Sequence, residues 1–442
     1  MKPLMQKLST KSALLILLFW WQASPAEDLV TVYGLALNND AELMIAESDY
    51  LAAVQALPLA RSGRKPQVSL NAIGTARESD NSETGDNDSE TVGYSLNLTQ
   101  SLYDNEIQGD INVAEASTEA ELARLKAARQ ALILRTAETY FGILAAGDNV
   151  EFAYAERTAI ARQLEQAQKR FEVGLIAITD VHEAQARFDT AEADAILAEN
   201  ILENAFQSLV VITADTSIDK LAPLGDDLNL ALPDPITAEP WVLLALTNNL
   251  DLVAAQQDLN AARYERDKNA RSGYPTLDLT ASYADNDVDG DEVRGDYQQD
   301  DLTLGIELQV PLYTGGRISA EQAQAESNFV SAKNTLLLQT RLARQQSRTA
   351  YLDVVSGISQ VRALKQALDS SNIALAATQA GFDVGTRTSV DVLISLRETY
   401  RAQRDYARSR YDYLLNKLRL RQAAGILQED DLFEINRWLI QQ

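Results

Sequence analysis

In this 442-residue chain one group of residues has the spacing of a known chemistry: Asp285, Asp287, Asp289, Gly290 and Asp296 stand at positions 1, 3, 5, 6 and 12 of a calcium-loop pattern. Carboxylates spaced in this way can turn their oxygens onto one hard cation, and the glycine permits the sharp bend between them. That pattern normally joins two helices and closes on a bidentate glutamate. Here the flanking residues alternate like strands and the closing residue is a shorter aspartate. Asp285, Asp287, Asp289 and Asp296 are thus the chain's metal-ligand candidate, weighed against the expectation of a solvated acidic loop.

The rest of the composition excludes more than it offers. There is no cysteine and only one histidine, His182. Disulfides, thiolate zinc sites, iron–sulfur clusters and cysteine nucleophiles are therefore ruled out. His182 has no second histidine or cysteine with which to share a metal and is expected on the surface. No catalytic residues and no cofactor are expected, so the chain does not read as an enzyme. With 39 Lys+Arg against 64 Asp+Glu, the net charge of −25 repels polyanions and argues against nucleic acid as a partner. A hydrophobic share of 46% is enough for a large core.

Residues 1–26 read as a signal peptide: Lys2, Lys7 and Lys11 precede an apolar stretch from Ala13 to Trp21, and Ser24-Pro25-Ala26 forms a small-residue cleavage site. The chain then repeats itself at an offset of about 210 residues. Ala36-Leu37-Asn38-Asn39 returns as Ala245-Leu246-Thr247-Asn248, Arg61-Ser62-Gly63 as Arg271-Ser272-Gly273, and Phe171-Glu172-Val173-Gly174 as Phe382-Asp383-Val384-Gly385. The division is a first repeat over 27–222, a Pro-rich linker over 223–240 and a second repeat over 241–442.

Proline is missing from 67–222 and from 312–442, which are rich in Ala, Leu, Gln, Glu and Arg. Ile143, Ala146, Val150, Ala153, Ile160, Leu164, Ala167 and Phe171 step by three and four with Arg157 as the break, and Val354, Ile358, Val361, Leu368 and Leu375 do the same in the second copy. This spacing predicts coiled-coil helices, the first running from Asn105 to Phe171 for roughly 100 Å. Four other segments alternate with period two: Val68 to Ala72, Val92 to Leu98, Leu277 to Tyr283 and Leu302 to Val310. They predict two β-hairpins, about 66–104 and 275–313, whose strands have one apolar and one polar face. The acidic connectors 78–90 and 284–301 are expected as long exposed loops.

Such strands suit a barrel with lipid outside and water inside. Four cannot close one without leaving unpaired backbone in lipid, so copies must pool their strands, and three copies would give 12.

The run Arg170 to Val181, the run Val384 to Leu393 and Pro275 to Ser282 resemble the TolC family of outer-membrane efflux ducts, and the resemblance extends over essentially the whole chain after the signal. It implies an α+β membrane protein: a homotrimeric 12-stranded β-barrel in outer-membrane lipid, continuous with a long α-helical coiled-coil barrel across the periplasm. It implies passive conduction in tripartite efflux, type I protein secretion or both, with a periplasmic adaptor (membrane fusion) protein and an inner-membrane ABC or RND-type transporter as partners. The linker 223–240 would lie at the tunnel's equator, and no long polar tail is expected after the last helix. A constitutively open porin-like diffusion channel and a structural envelope-spanning coiled-coil protein are the alternatives.

At the turns, Gly174 and Gly385 suit the left-handed position that ends a helix, with Thr179 or Asp180 and Ser389 as caps of the helices that follow. By the resemblance, Val173, Gly174, Leu175, Val384, Gly385 and Thr386 are the adaptor-contact turns. Thr179 and Asp180 with Arg387 form the latch of a periplasmic gate, and Gln163 faces Gln379 as a neutral pair. Phe382 stands where the family has a tyrosine and lacks the hydroxyl that could reach Asp180. Asp391 would form a selectivity ring of three carboxylates favouring cations, its alternative role being a first-turn residue that stabilises the helix dipole.

Overall fold

The computed structural model describes residues 26–81, 85–226, 228–290 and 295–440. The signal peptide before Ala26 lies outside the described residues. From Leu29 the chain forms α1 (Leu29–Asn39), α2 (Ala41–Ser62), β1 (Gln67–Asn81), β2 (Gly85–Tyr103), α3 (Asn105–Glu172) and α4 (Ile178–Thr213). The same order then recurs as α5 (Ala238–Asn248), α6 (Leu250–Asn269), β3 (Thr276–Asp289), β4 (Tyr297–Gln309), α7 (Arg317–Asp383) and α8 (Ser389–Ala423), followed by α9 (Glu429–Asn436).

Local chemistry is repeated along with the order. Asp40 separates α1 from α2 and accepts a hydrogen bond from the Leu43 N–H at 2.8 Å, and Asn249, between α5 and α6, accepts one from the Leu252 N–H at 3.1 Å. Each is an N-cap that satisfies an amide otherwise orphaned at a helix start. The long helices α3 and α7 have 68 and 67 residues, which at 1.5 Å per residue is about 100 Å each. Nothing along them interrupts the amide ladder, because they contain no proline. Pro58, by contrast, sits inside α2 near its end.

All four strands form one antiparallel sheet in the order β1-β2-β3-β4. Cross-strand pairs such as Leu96↔Tyr283 and Leu279↔Ile306 place the apolar residues of successive strands together on one face. That face is bare: Leu70 is 70% exposed, Val92 67%, Leu304 73% and Ile306 69%. The outer edges of β1 and β4 have no partner among the described strands.

The acidic connectors depart from the expectation of long loops. β1 and β2 pair out to Asn81↔Gly85, and β3 and β4 pair out to Val288↔Tyr297. Once the apolar part fixes the register, the backbone ladder continues beyond it, because pairing of backbone groups does not depend on apolar side chains.

The main core lies where α1, α3, α4, α8, α9 and residues 221–224 meet, around Leu29, Leu132, Tyr140, Phe141, Leu209, Tyr413 and Leu414. The Tyr140 hydroxyl donates to the Ala222 carbonyl at 2.8 Å, and the Ala231 N–H donates to the Tyr413 hydroxyl at 3.2 Å, so the segment between the repeats is bound to both long-helix pairs. Helix α4 is apolar and long enough by composition to cross a membrane. Its Ala184, Ala191, Ala195 and Ala198 are buried, two of them in a cluster with Ala153 of α3, so it forms the second helix of a coiled-coil pair.

Candidate functional site

At the end of the molecule far from the sheet, α3 turns into α4 and α7 into α8. Both turns close identically. The Gly174 N–H donates to the Phe171 carbonyl and the Leu175 N–H to the Arg170 carbonyl, each at 2.9 Å; the Gly385 N–H donates to the Phe382 carbonyl at 3.1 Å and the Thr386 N–H to the Gly381 carbonyl at 2.8 Å. These paired bonds are Schellman motifs, and they require a left-handed residue, which Gly174 supplies at φ 76° and Gly385 at φ 79°. Apolar side chains therefore project into water: Val173 is 69% exposed, Leu175 72% and Val384 76%.

The return helices begin differently. Ala177 precedes α4 and makes no side-chain cap, so Thr179 and Asp180 are first-turn residues and not caps as expected. For α8 the cap is Thr388 and not Ser389. Thr388 Oγ1 accepts from the Asp391 N–H at 3.2 Å, and the Asp391 carboxylate accepts from the Thr388 N–H at 2.9 Å. This is a closed capping box. The Thr388 N–H and hydroxyl hold the Asp391 carboxyl below the ordinary aspartate range, and the Arg387 charge acts in the same direction. In the protomer Asp391 is thus a helix-start residue. Ile394, one turn later, is exposed.

Among the described residues no hydrogen bond or ion pair joins the latch candidates to one another within the protomer. Arg387 is exposed, and its stem lies against Gly381: a Cβ at Gly381 would stand 2.8 Å from Arg387 Cγ. Among the described residues no ion pair links Arg387 to Asp180. Gln379 does not pair with Gln163. Its amide donates to Asp383 at 3.4 Å, one turn along α7, and the buried Gln163 Oε1 has no partner among the described residues. A neighbour four residues away on the same helix competes effectively with a partner on another helix.

What holds the two turns together was not anticipated from the sequence. Leu393 of α8 packs with Ile160, Leu164 and Ala167 of α3 and Ala184 and Ala191 of α4. Phe382 is 5% exposed, and the Arg170 guanidinium lies over its ring, 4.1 Å from the centroid. Higher up, Arg404 of α8 donates to Glu156 of α3 at 3.0 Å, and Arg157, the break in the heptad, ion-pairs with Glu192 of α4. An arginine at a core-facing heptad position was the sequence signal for that second pair. His182 is exposed.

Among the described residues the aspartates of the calcium pattern are not gathered into one group. Asp285, Asp287 and Asp289 lie on β3, where the Tyr94 hydroxyl donates to Asp285 at 3.1 Å, and Asp296 accepts from the Gly290 N–H at 2.9 Å. Among the described residues no group of three or more acidic or imidazole side chains could hold a metal. An extended strand spreads alternate carboxylates along itself instead of wrapping them round an ion.

The outer membrane efflux protein family matches residues 32–214 and 241–426, one copy on each repeat. Outer membrane protein TolC of Vibrio cholerae is 38% identical over 417 residues, covering 94% of each chain. The alkaline protease secretion protein AprF of Pseudomonas aeruginosa is 30% identical, covering 91% of this chain and 85% of its own. Among solved structures, the Campylobacter jejuni CmeC outer membrane channel superposes with a TM-score of 0.77 over 99% of this chain and 98% of its own, at 16% identity. The chain belongs to the outer membrane efflux protein family, with the fold and the outer-membrane location of its TolC-type members.

Proposed function

We propose that this protein is the outer-membrane exit duct of tripartite efflux and type I secretion, passively conducting what an inner-membrane transporter delivers through a periplasmic adaptor. The observation that carries the reading is a four-stranded sheet with a bare apolar face and two unpaired edges, continuous with helices of 68 and 67 residues. An open sheet edge in lipid costs several kcal/mol per unpaired group, so β4 of one copy pairs with β1 of the next. Three copies give a 12-stranded barrel and put the long helices into one tunnel. The duct carries out no catalysis.

In this reading residues 1–26 are removed on export, and the linker 223–240 joins the repeats at the equator of the tunnel. The turns form its periplasmic mouth. Exposed Val173, Leu175 and Val384 offer the adaptor an apolar rim. Arg387, unpaired with Asp180 in its own protomer, reaches Thr179 and Asp180 of the neighbouring one, and three Asp391 carboxylates line the constriction. Each partly exposed latch pair contributes about 1 kcal/mol or less, threefold repeated.

Native mass measurement in detergent together with planar-bilayer recording tests this. A trimer of low conductance is expected, with Arg387→Ser shifting it to a higher-conductance state. A high conductance unaltered by Arg387→Ser identifies an open diffusion channel, and no conductance at all identifies a structural spacer.

A further inference from the structure

We infer that Arg170 and Phe382 form a tie that holds the α3–α4 turn to the α7–α8 turn within each protomer and governs how readily the mouth opens. The inference rests on the gate reading above and adds a contact of a different kind from its polar latch.

Phe382 lies in the last turn of α7, where Asp383 and Val384 after it are exposed, yet its own ring is 5% exposed. The Arg170 guanidinium is the group laid over that ring, 4.1 Å from its centroid. Both ends are anchored by backbone geometry. Arg170 gives its carbonyl to the Leu175 N–H and Phe382 gives its carbonyl to the Gly385 N–H, so each side chain leaves from a fixed Schellman turn. Lys169 takes Glu165, while Arg170 has no carboxylate within ion-pair distance among the described residues. A guanidinium without a counter-ion among the described residues, laid on the face of a buried ring, makes a cation–π contact. Parting the two turns would expose the ring and leave the charge with water alone. The contact needs no hydroxyl on the ring, which fits phenylalanine at this position.

The test uses the full-length protein in planar bilayers. Arg170→Met keeps the apolar stem and removes the charge; Phe382→Leu keeps apolar bulk and removes the ring. Each is expected to shorten the closed-state lifetime about fivefold, with the double variant no worse than either single one. Arg170→Lys and Phe382→Tyr should keep most of the wild-type lifetime. If Phe382→Leu fails to assemble, Arg170→Met against Arg170→Lys decides alone, since Arg170 is only half-buried. Additive effects in the double variant, or an unchanged lifetime in Arg170→Met while Arg387→Ser opens the channel, would overturn the tie and leave the latch standing. A channel that neither Arg170→Met nor Arg387→Ser alters would remove both.

Discussion

The belt of buried side chains around Tyr140 and the periplasmic turns are built from the same long helices, and they are held together in opposite ways. In the belt α1, α3, α4, α8 and α9 converge on large fully buried side chains, among them Tyr140, Phe141, Tyr413 and Leu414; the Phe141 ring meets Tyr140 edge-on and stacks with Tyr411, at centroid distances of 5.6 and 5.7 Å. At the turns half of the buried cluster is alanine, with Ile160, Leu164 and Leu393 between Ala167, Ala184 and Ala191. Hydrophobic stabilisation scales with apolar area removed from water, so the belt has a continuous core whereas the turns depend on a few individual contacts. In the duct proposed above this division has a use: a large cooperative term keeps each chain folded at the belt, and small separable terms act at the turns.

The largest effect should come from breaking the belt. Tyr140→Ala removes a ring that is 0% exposed and the hydroxyl bond to Ala222, at a cost of about 3–5 kcal/mol. Its expected outcome is a clearly lower melting temperature by circular dichroism and loss of the proposed trimer in native mass measurement. Leu393→Ala at the turns should leave the oligomer intact and raise conductance instead. Equal loss of oligomer in the two variants would erase the distinction.

Glycines sharpen the same contrast at smaller cost. Gly385 and Gly425 both have positive φ, 79° and 72°. A Cβ at Gly385 meets nothing within 4 Å, whereas one at Gly425 runs into the backbone of Asn248 and Asn249. Gly385→Ala should cost about 1–2 kcal/mol of backbone strain, with Gly174→Ala like it. Gly425→Ala should cost clearly more, because backbone must move as well. Melting followed by circular dichroism ranks them, and a Gly425→Ala melting point at or above that of Gly385→Ala would contradict the close packing of Gly425 against Asn248 and Asn249.

Much of this was legible in the sequence, for physical reasons that also mark the limits. The offset of about 210 residues and the missing prolines fixed the order and length of α3 and α7, because a broken amide ladder is the main thing that stops a helix. Period-two alternation located the middle of each strand. It missed the ends, since Glu78↔Asp88 and Asp285↔Asp300 pair through backbone with no apolar signal in their side chains. Caps were misplaced by one to three residues, as expected where several Thr, Ser and Asp crowd a helix start. The contact between Arg170 and Phe382 was not legible at all. It joins residues of different repeats, and only packing brings them together.

The smallest predicted effect separates the two regions by pH alone. Burial pushes the Asp148 carboxyl above its ordinary value of 3.8, an effect only partly offset by the Tyr411 hydroxyl bonded to it at 2.7 Å. The native belt therefore binds this proton more readily than the unfolded chain does, so its stability rises as pH falls through the raised value toward 3.8. Asp391 has the opposite sign. Its carboxyl is held below 3.8 by the Thr388 N–H and hydroxyl, so its contribution is complete above 3.8 and is lost only as pH falls through the lowered native value. Acidification from neutrality should first tighten the belt with the turns unchanged, and only below 3.8 loosen the start of α8. Hydrogen exchange, corrected for its intrinsic pH dependence and read separately over α8 residues 389–393 and α3 residues 140–150, measures both. Asp391→Asn should abolish the acid-induced loss of protection at the turn without altering the belt. If the turn loses protection above pH 3.8, or if Asp391→Asn leaves the low-pH loss in place, the capping box is not what holds the start of α8.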